Sequence, residues 1–216
     1  MDGIISTIYN AILEGELTAA ENGVKAALAA GWNPGDILEQ GMIASMREVG
    51  RRFEEGDYYV PEMLVAARAM QTGLSLLKPY LVEGNVQAAG KVAIGTVKGD
   101  LHDIGKNLVL LMLEGAGFEV LDLGVDVSPE RFVEAIAMDG VDIVALSALL
   151  TTTMPHMLTT IDAIQQAGLR DRVKIIVGGA PVAGEFAERI GADGFSSDAS
   201  SVPELVQSLL QAVTQN

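Results

Sequence analysis

KVAIGTVKGDLHDIGKN, residues 91–107, is the stretch whose reading decides the fold. Its first seven residues, Lys91 to Val97, are almost continuously apolar. Apolar residues without alternation mark a strand buried on both faces, as in a parallel sheet. Lys98-Gly99-Asp100 breaks the strand, and Asp103 is a helix N-cap candidate for the apolar run beginning at Ile104. A buried strand passing through a short loop into a helix is one βα unit. The loop carries Asp100-x-His102-x-x-Gly105 at the strand's C-terminal end. One imidazole nitrogen can ligate a metal while a carboxylate two residues earlier holds the proton on the other. Glycines at 95, 99 and 105 allow the loop to bulge and a bulky group to approach the backbone.

Downstream, the alternation continues. Apolar strands are expected at 91–97, 119–123, 141–147, 173–178 and 192–196, with helices at 104–116, 129–138, 155–168, 182–190 and 202–213. The pattern predicts a flavodoxin-like, doubly wound, five-stranded parallel sheet. Ligands of such sheets bind beyond the carboxyl ends of the strands, at the switch point between strands 1 and 3. Strand 3 delivers Ser147-Ala148-Leu149-Leu150-Thr151-Thr152-Thr153, whose hydroxyls can bond a carboxylate or a polar ligand edge, and Thr153 can also cap the following helix. Strand 4 delivers Gly178-Gly179, a tight turn or a gap against which a flat ligand can lie.

Upstream, residues 1–80 read as helix throughout. Asp2 to Leu13, Glu16 to Ala30, a helix capped by Asn33-Pro34 and ending near Glu55, and a helix from Pro61 to about Tyr80 make a small four-helix bundle. Leu81 to Gly90 is small, polar and aperiodic, and is the linker candidate. The expected domains are a helical cap over 1–85 and the α/β domain over 86–216.

Composition narrows the chemistry. The net charge is −15, with both domains acidic, which disfavours a nucleic-acid partner. Cysteine is absent, excluding disulfides and thiolate metal sites and fitting a reducing cytoplasm. With two histidines, His102 and His156, a multi-histidine metal cage is also excluded. A metal here must bring most of its own ligands. No signal peptide and no apolar run of membrane-spanning length is visible.

The run GTVKGDLHDIGKN closely resembles the cobalamin-binding loop of corrinoid methyl-carrier proteins and of the related methionine synthase module, and the resemblance extends over nearly the whole chain. It implies a cobalamin or related corrinoid bound base-off/His-on, with His102 the lower axial ligand of cobalt, Asp100 its hydrogen-bond partner and Ser147 extending that relay. Asp103, Ile104, Gly105, Ser147, Leu149, Thr151, Thr153, Gly178 and Gly179 would contact the cofactor, several along its nucleotide tail. In the stretch Gly56 to Glu62 and just beyond, Tyr59, Val60 and Met63 would cover the upper face of the ring. His156 reads as a surface or supporting residue. The implied role is a methyl carrier between a substrate-specific methyltransferase and an acceptor methyltransferase using tetrahydrofolate or coenzyme M, served by a reductive activase. The donors known in this family are methylamines, methanol, glycine betaine and aryl methyl ethers. A cobalamin-dependent sensor and an adenosylcobalamin mutase subunit are the alternatives. The first is disfavoured by the lack of a basic DNA-binding segment, the second by the helical cap.

Overall fold

The structure, a computed structural model, describes residues 3–84 and 88–214. These divide into two compact units, one running up to Ala88 and grouping with Glu114–Gly117, the other formed by the rest from Ala89 onward. The expected boundary at 85/86 lies outside the described residues.

The second unit holds five strands, β1 (Lys91–Val97), β2 (Glu119–Val127), β3 (Ile143–Ser147), β4 (Lys174–Gly178) and β5 (Gly194–Phe195). All pair in parallel in the order β2-β1-β3-β4-β5. Between them run α6 (Ile104–Gly115), α7 (Pro129–Asp139), α8 (Pro155–Gln166) and α9 (Gly184–Arg189), and α10 (Val202–Thr214) closes the unit. Chain direction around the sheet reverses between β1 and β3, which places the switch point where the sequence predicted it. In β1 every residue from Val92 to Val97 is buried. Gly95 is needed inside this strand for packing, not for loop flexibility: a Cβ there would stand 2.8 Å from Cζ of the fully buried Phe132. Strand β2 runs four residues past its expected end. Gly124, with φ +86, reads as a breaker, but the pairing with β1 absorbs it through register shifts around Gly95.

The first unit contains α1 (Gly3–Leu13), α2 (Leu17–Ala29), α3 (Pro34–Asp36), a π-helical stretch (Ile37–Ile43), α4 (Ala44–Glu54) and α5 (Val60–Glu83). Asn33 caps α3 by accepting from the Gly35 amide at 2.8 Å. Glu62 caps α5 by accepting from the Tyr59 amide at 3.0 Å. Small residues let the helices close on Ile8, since a Cβ on Gly23 or Gly41 would meet its side chain at 2.8 or 3.3 Å. Helix α5 continues through Pro79 to Glu83, so the expected linker from Leu81 begins with helix, and its Asn85–Gln87 portion lies outside the described residues.

One ionic cluster ties the end of α4 to α1. Glu48 accepts from Arg51 at 2.8 and 2.7 Å and from Arg52 at 2.8 Å. Arg52 also donates to the Tyr58 hydroxyl at 3.0 Å, and that hydroxyl donates to the Leu13 carbonyl at 3.3 Å. Hydrogen bonds from Arg51 first, then Arg52, hold the Glu48 carboxyl down at about 2. A depressed carboxylate contributes stability that is present above its ordinary pKa and lost as pH falls through the folded value. Glu48→Gln is therefore expected to lower the thermal midpoint at neutral pH, with variant and parent converging as pH falls from about 4.5 towards 2. Thermal unfolding across that range checks it. A gap of constant size would show that the charge plays no part.

Candidate functional site

The turn between β1 and α6 brings Asp100 and His102 together. Asp100 is fully buried, and its Oδ1 accepts from the His102 amide at 3.1 Å and lies 2.7 Å from the ring Nδ1. The imidazole side chain remains 49% exposed. Burial acts to raise the Asp100 pKa, yet hydrogen bonds from Thr153, the Leu149 amide and His102 outweigh it and hold the carboxyl well below the usual carboxylate range. An ionised Asp100 can only accept, so the neutral imidazole carries its proton on Nδ1. Its lone pair is then on Nε2, which has no hydrogen-bond partner among the described residues and points its basicity outward. Orientation, tautomer and exposure together suit a single axial metal ligand.

The other carboxylate oxygen reaches the end of β3. Asp100 Oδ2 accepts from the Thr153 hydroxyl at 2.6 Å, the Leu149 amide at 2.8 Å and the Leu150 amide at 3.4 Å. This corrects the expected relay through Ser147, whose hydroxyl makes none of the bonds around Asp100. Ser147 ends β3 paired with Thr96 and Gly178, and the chain must turn through Leu149 and Leu150 before a hydroxyl can face the carboxylate. The residue that does so is Thr153, which also donates to the Leu150 carbonyl at 2.9 Å.

Around His102 the surface is apolar and open. Leu101 is 71% and Ile104 81% exposed, and Leu149 and Leu150 are each 42% exposed. Asp103 starts α6 through its carbonyl, which accepts from the Asn107 amide at 2.7 Å, and its own side chain is exposed. Gly105 sits in the first turn of α6 with a backbone that needs no glycine, and a Cβ there would meet nothing within 4 Å. Glycine in a helix costs about 0.5–1 kcal/mol relative to alanine, so bare backbone at this point fits a ligand lying against it. Among the described residues no group of three or more His, Asp or Glu gathers to cage a metal ion. One exposed imidazole, a wide apolar rim and a bare first helical turn fit a large flat cofactor that brings its own equatorial ligands.

The remaining expected residues divide. Thr151 and Gly179 are exposed, and Ser147 and Gly178 are half-buried at the ends of β3 and β4. Gly179 has an internal reason to be glycine. Its φ is +130, and a Cβ would stand 1.9 Å from the Ala148 carbonyl oxygen. In the helical unit Tyr59 and Val60 are exposed, whereas Met63 has no exposed surface. His156 lies half-buried in the first turn of α8. The sequence reading missed Lys106, Asp122 and Asp126. Lys106 is only 3% exposed, its Nζ 2.7 Å from Asp122 Oδ1. A lysine in the first turn of a helix opposes the macrodipole, which is the signal that could have singled it out.

A flavodoxin-like sheet with a carboxylate-held histidine at its switch point, in a chain that also folds a separate unit of helices, defines a corrinoid-binding class of protein. The sequence pattern of the B12 binding domain matches residues 90–206, and a second B12 binding domain pattern matches residues 4–78. The chain is 42% identical over 209 residues to trimethylamine corrinoid protein 1 of Methanosarcina acetivorans, covering 96% of this chain and 97% of that protein. It is also 42% identical over 179 residues to dimethylamine corrinoid protein 1 of the same organism, covering 82% and 84%. The crystal structure of the methanol:cobalamin methyltransferase complex MtaBC from Methanosarcina barkeri superposes with a TM-score of 0.86 at 29% identity, covering 97% of this chain and 80% of that one. The chain belongs to the B12-binding corrinoid protein family, and it binds a corrinoid. No helix among the described residues is long and apolar enough to cross a membrane.

Proposed function

We propose that this chain is the methyl-carrying corrinoid subunit of a methylamine methyltransferase system, holding its cofactor base-off with His102 as the lower ligand of cobalt. The observation that carries this reading is the 2.7 Å bond between Asp100 and Nδ1, which leaves Nε2 free at the switch point. The bound corrinoid supplies the cobalt on which the methyl group travels. The chain's own residues hold and tune it. His102 supplies the lower ligand, and Asp100 fixes its tautomer and raises its basicity. Leu101, Ile104, Leu149 and Leu150 give apolar surface beneath the ring. Gly105, Ser147, Thr151 and Gly178 are the contacts proposed for the nucleotide tail, and Asp103 and Thr153 shape the loops that carry them. Tyr59 and Val60 present the apolar surface proposed for the upper face.

The proposed partners are a methylamine-specific methyltransferase, an acceptor methyltransferase acting on tetrahydrofolate or coenzyme M, and a reductive activase. The methyltransferase partner and the donor class are supported by the likeness to MtaBC and by the trimethylamine and dimethylamine corrinoid proteins.

Two measurements test the reading. The chain loaded with cobalamin and reduced to paramagnetic cobalt(II) is expected to show nitrogen splitting in its electron paramagnetic resonance spectrum that changes when the protein's histidines carry nitrogen-15. Splitting insensitive to that label would refute histidine ligation. The loaded chain, reduced chemically to cobalt(I), is also expected to accept a methyl group from trimethylamine or dimethylamine, with release of the demethylated amine, when mixed with the corresponding Methanosarcina methyltransferase. Failure with both would remove the methylamine assignment.

A further inference from the structure

Two carboxylates of one strand, Asp122 within β2 and Asp126 near its end, grip the two flanks of the loop that carries His102. Before the histidine, Asp126 of β2 accepts from the Gly99 amide at 2.7 Å through its side chain, and its own amide donates to the Asp100 carbonyl at 2.9 Å. After the histidine, Asp122 of β2 accepts from Lys106 Nζ at 2.7 Å, and Lys106 also donates to Asn107 Oδ1 at 2.7 Å in the first turn of α6. The same Asp122 oxygen accepts from the Gly124 amide at 2.9 Å, which ties the carboxylate to the backbone of its own strand.

Each feature carries a cost that calls for a reason. Asp126 is the non-glycine residue with positive φ, +52, among the described residues. Such backbone is sparsely populated and collects at functional sites, and aspartate and asparagine tolerate it best. Lys106 has its side chain 2% exposed, so its ammonium is desolvated against one partner carboxylate. Neither residue touches Asp100 Oδ1, Oδ2 or the imidazole. Both act on the backbone that places them. The ion pair of Lys98 with Asp126, 3.6 Å long and exposed, is of the screened surface kind and adds little.

We propose that Asp122 and Asp126 are positioning residues that set the His102 loop from both sides, Asp126 through hydrogen-bond geometry and Asp122 through the charge it offers Lys106. The proposal rests on His102 being the cobalt ligand. The two roles separate on asparagine substitution. Asp126→Asn keeps a side-chain oxygen for the Gly99 amide and keeps tolerance of positive φ. Asp122→Asn leaves the Lys106 ammonium buried without a counter-charge.

The test uses the full chain in two states. In the cofactor-free protein, amide hydrogen exchange at Gly99, His102 and Asn107 reads the loop directly. In the cobalamin-loaded protein, cobalamin affinity and the nitrogen splitting read the ligand. Asp126→Ala is expected to speed exchange at Gly99 and His102 and to weaken cobalamin binding about tenfold, the low end of the effect of losing a partner that orients a metal ligand. Asp126→Asn is expected to match the parent in both states. Asp122→Asn is expected to speed exchange at His102 and Asn107 and weaken binding similarly. The double variant Asp122→Asn with Lys106→Met, which removes the stranded charge, is expected to recover part of the loss. Parental exchange and affinity in both Asp126→Ala and Asp122→Asn would overturn the proposal. So would an Asp126→Asn variant as damaged as Asp126→Ala. If these variants behave as the parent while His102→Ala alters the splitting, the grip is refuted and the ligand reading stands. If His102→Ala leaves the splitting unchanged, the ligand reading is refuted.

Discussion

His102→Ala is expected to abolish the histidine nitrogen splitting from the cobalt(II) spectrum of the loaded protein and to leave a water-ligated or five-coordinate cobalt. The loop holds no second imidazole to take its place, since the other histidine, His156, belongs to the first turn of α8. The fold is expected to survive. The His102 ring is half exposed, and Asp100 Oδ1 keeps the bond from the backbone amide at position 102. Losing the ring's bond to a charged acceptor costs about 1.5–3 kcal/mol at most, and water can reach the vacated side. Parental circular dichroism in the cofactor-free variant and an altered cobalt spectrum in the loaded variant are therefore the expected pair of results. Unchanged splitting would refute the assignment of His102.

The contrast between what was legible in the sequence and what was not has a physical basis. The bond from Asp100 to His102 joins residues two apart in one turn, so spacing and chemistry together revealed it. Strand β1 and the switch point followed from an apolar run whose period had one reading. Thr153 was missed as the partner of Asp100 because the two are 53 positions apart and meet through the turn at Leu149 and Leu150, which no periodicity encodes. Ser147, nearest the strand end, was the natural choice and the wrong one. Gly178-Gly179 read as a tight turn or a gap for a ligand, and the Ala148 carbonyl oxygen, 1.9 Å from where a Cβ would stand, is a reason within the fold for glycine at 179. The close approach of Gly41, in the π-helical stretch Ile37–Ile43, to Ile8 of another helix is likewise a contact that no periodicity encodes. The pairing of Lys106 with Asp122 was hidden for the same reason as that of Thr153 with Asp100: it crosses from a helix to a strand.

Asp100→Asn is expected to be more damaging than the loss of one charge suggests. Both oxygens of Asp100 face donors. Oδ1 receives the His102 amide and Nδ1–H, and Oδ2 receives the Leu149 and Leu150 amides and the Thr153 hydroxyl. An asparagine amide must turn its NH2 towards one of these sets. Turned towards His102, it confronts Nδ1–H and drives the imidazole to the other tautomer, placing the proton on Nε2 where the metal must bind. Turned towards Thr153, it leaves the Leu149 amide unpaired in a buried position, at a cost of about 1–3 kcal/mol. The first orientation weakens ligation and the second destabilises the loop, so the variant loses either way. A lost partner of a metal-bound histidine typically costs about 10–100-fold in affinity or activity, and this range is expected for cobalamin binding to Asp100→Asn. A lowered thermal midpoint should accompany it in the cofactor-free chain. Thr153→Val separates the two effects. It keeps the shape of the side chain and removes one of the bonds to Oδ2, while Oδ1 and the imidazole stay as they are. It is expected to lower stability, with a much smaller loss of cobalamin affinity than Asp100→Asn. Equal affinity losses in the two variants would mean that the carboxylate acts through the fold alone and does not set the histidine's tautomer.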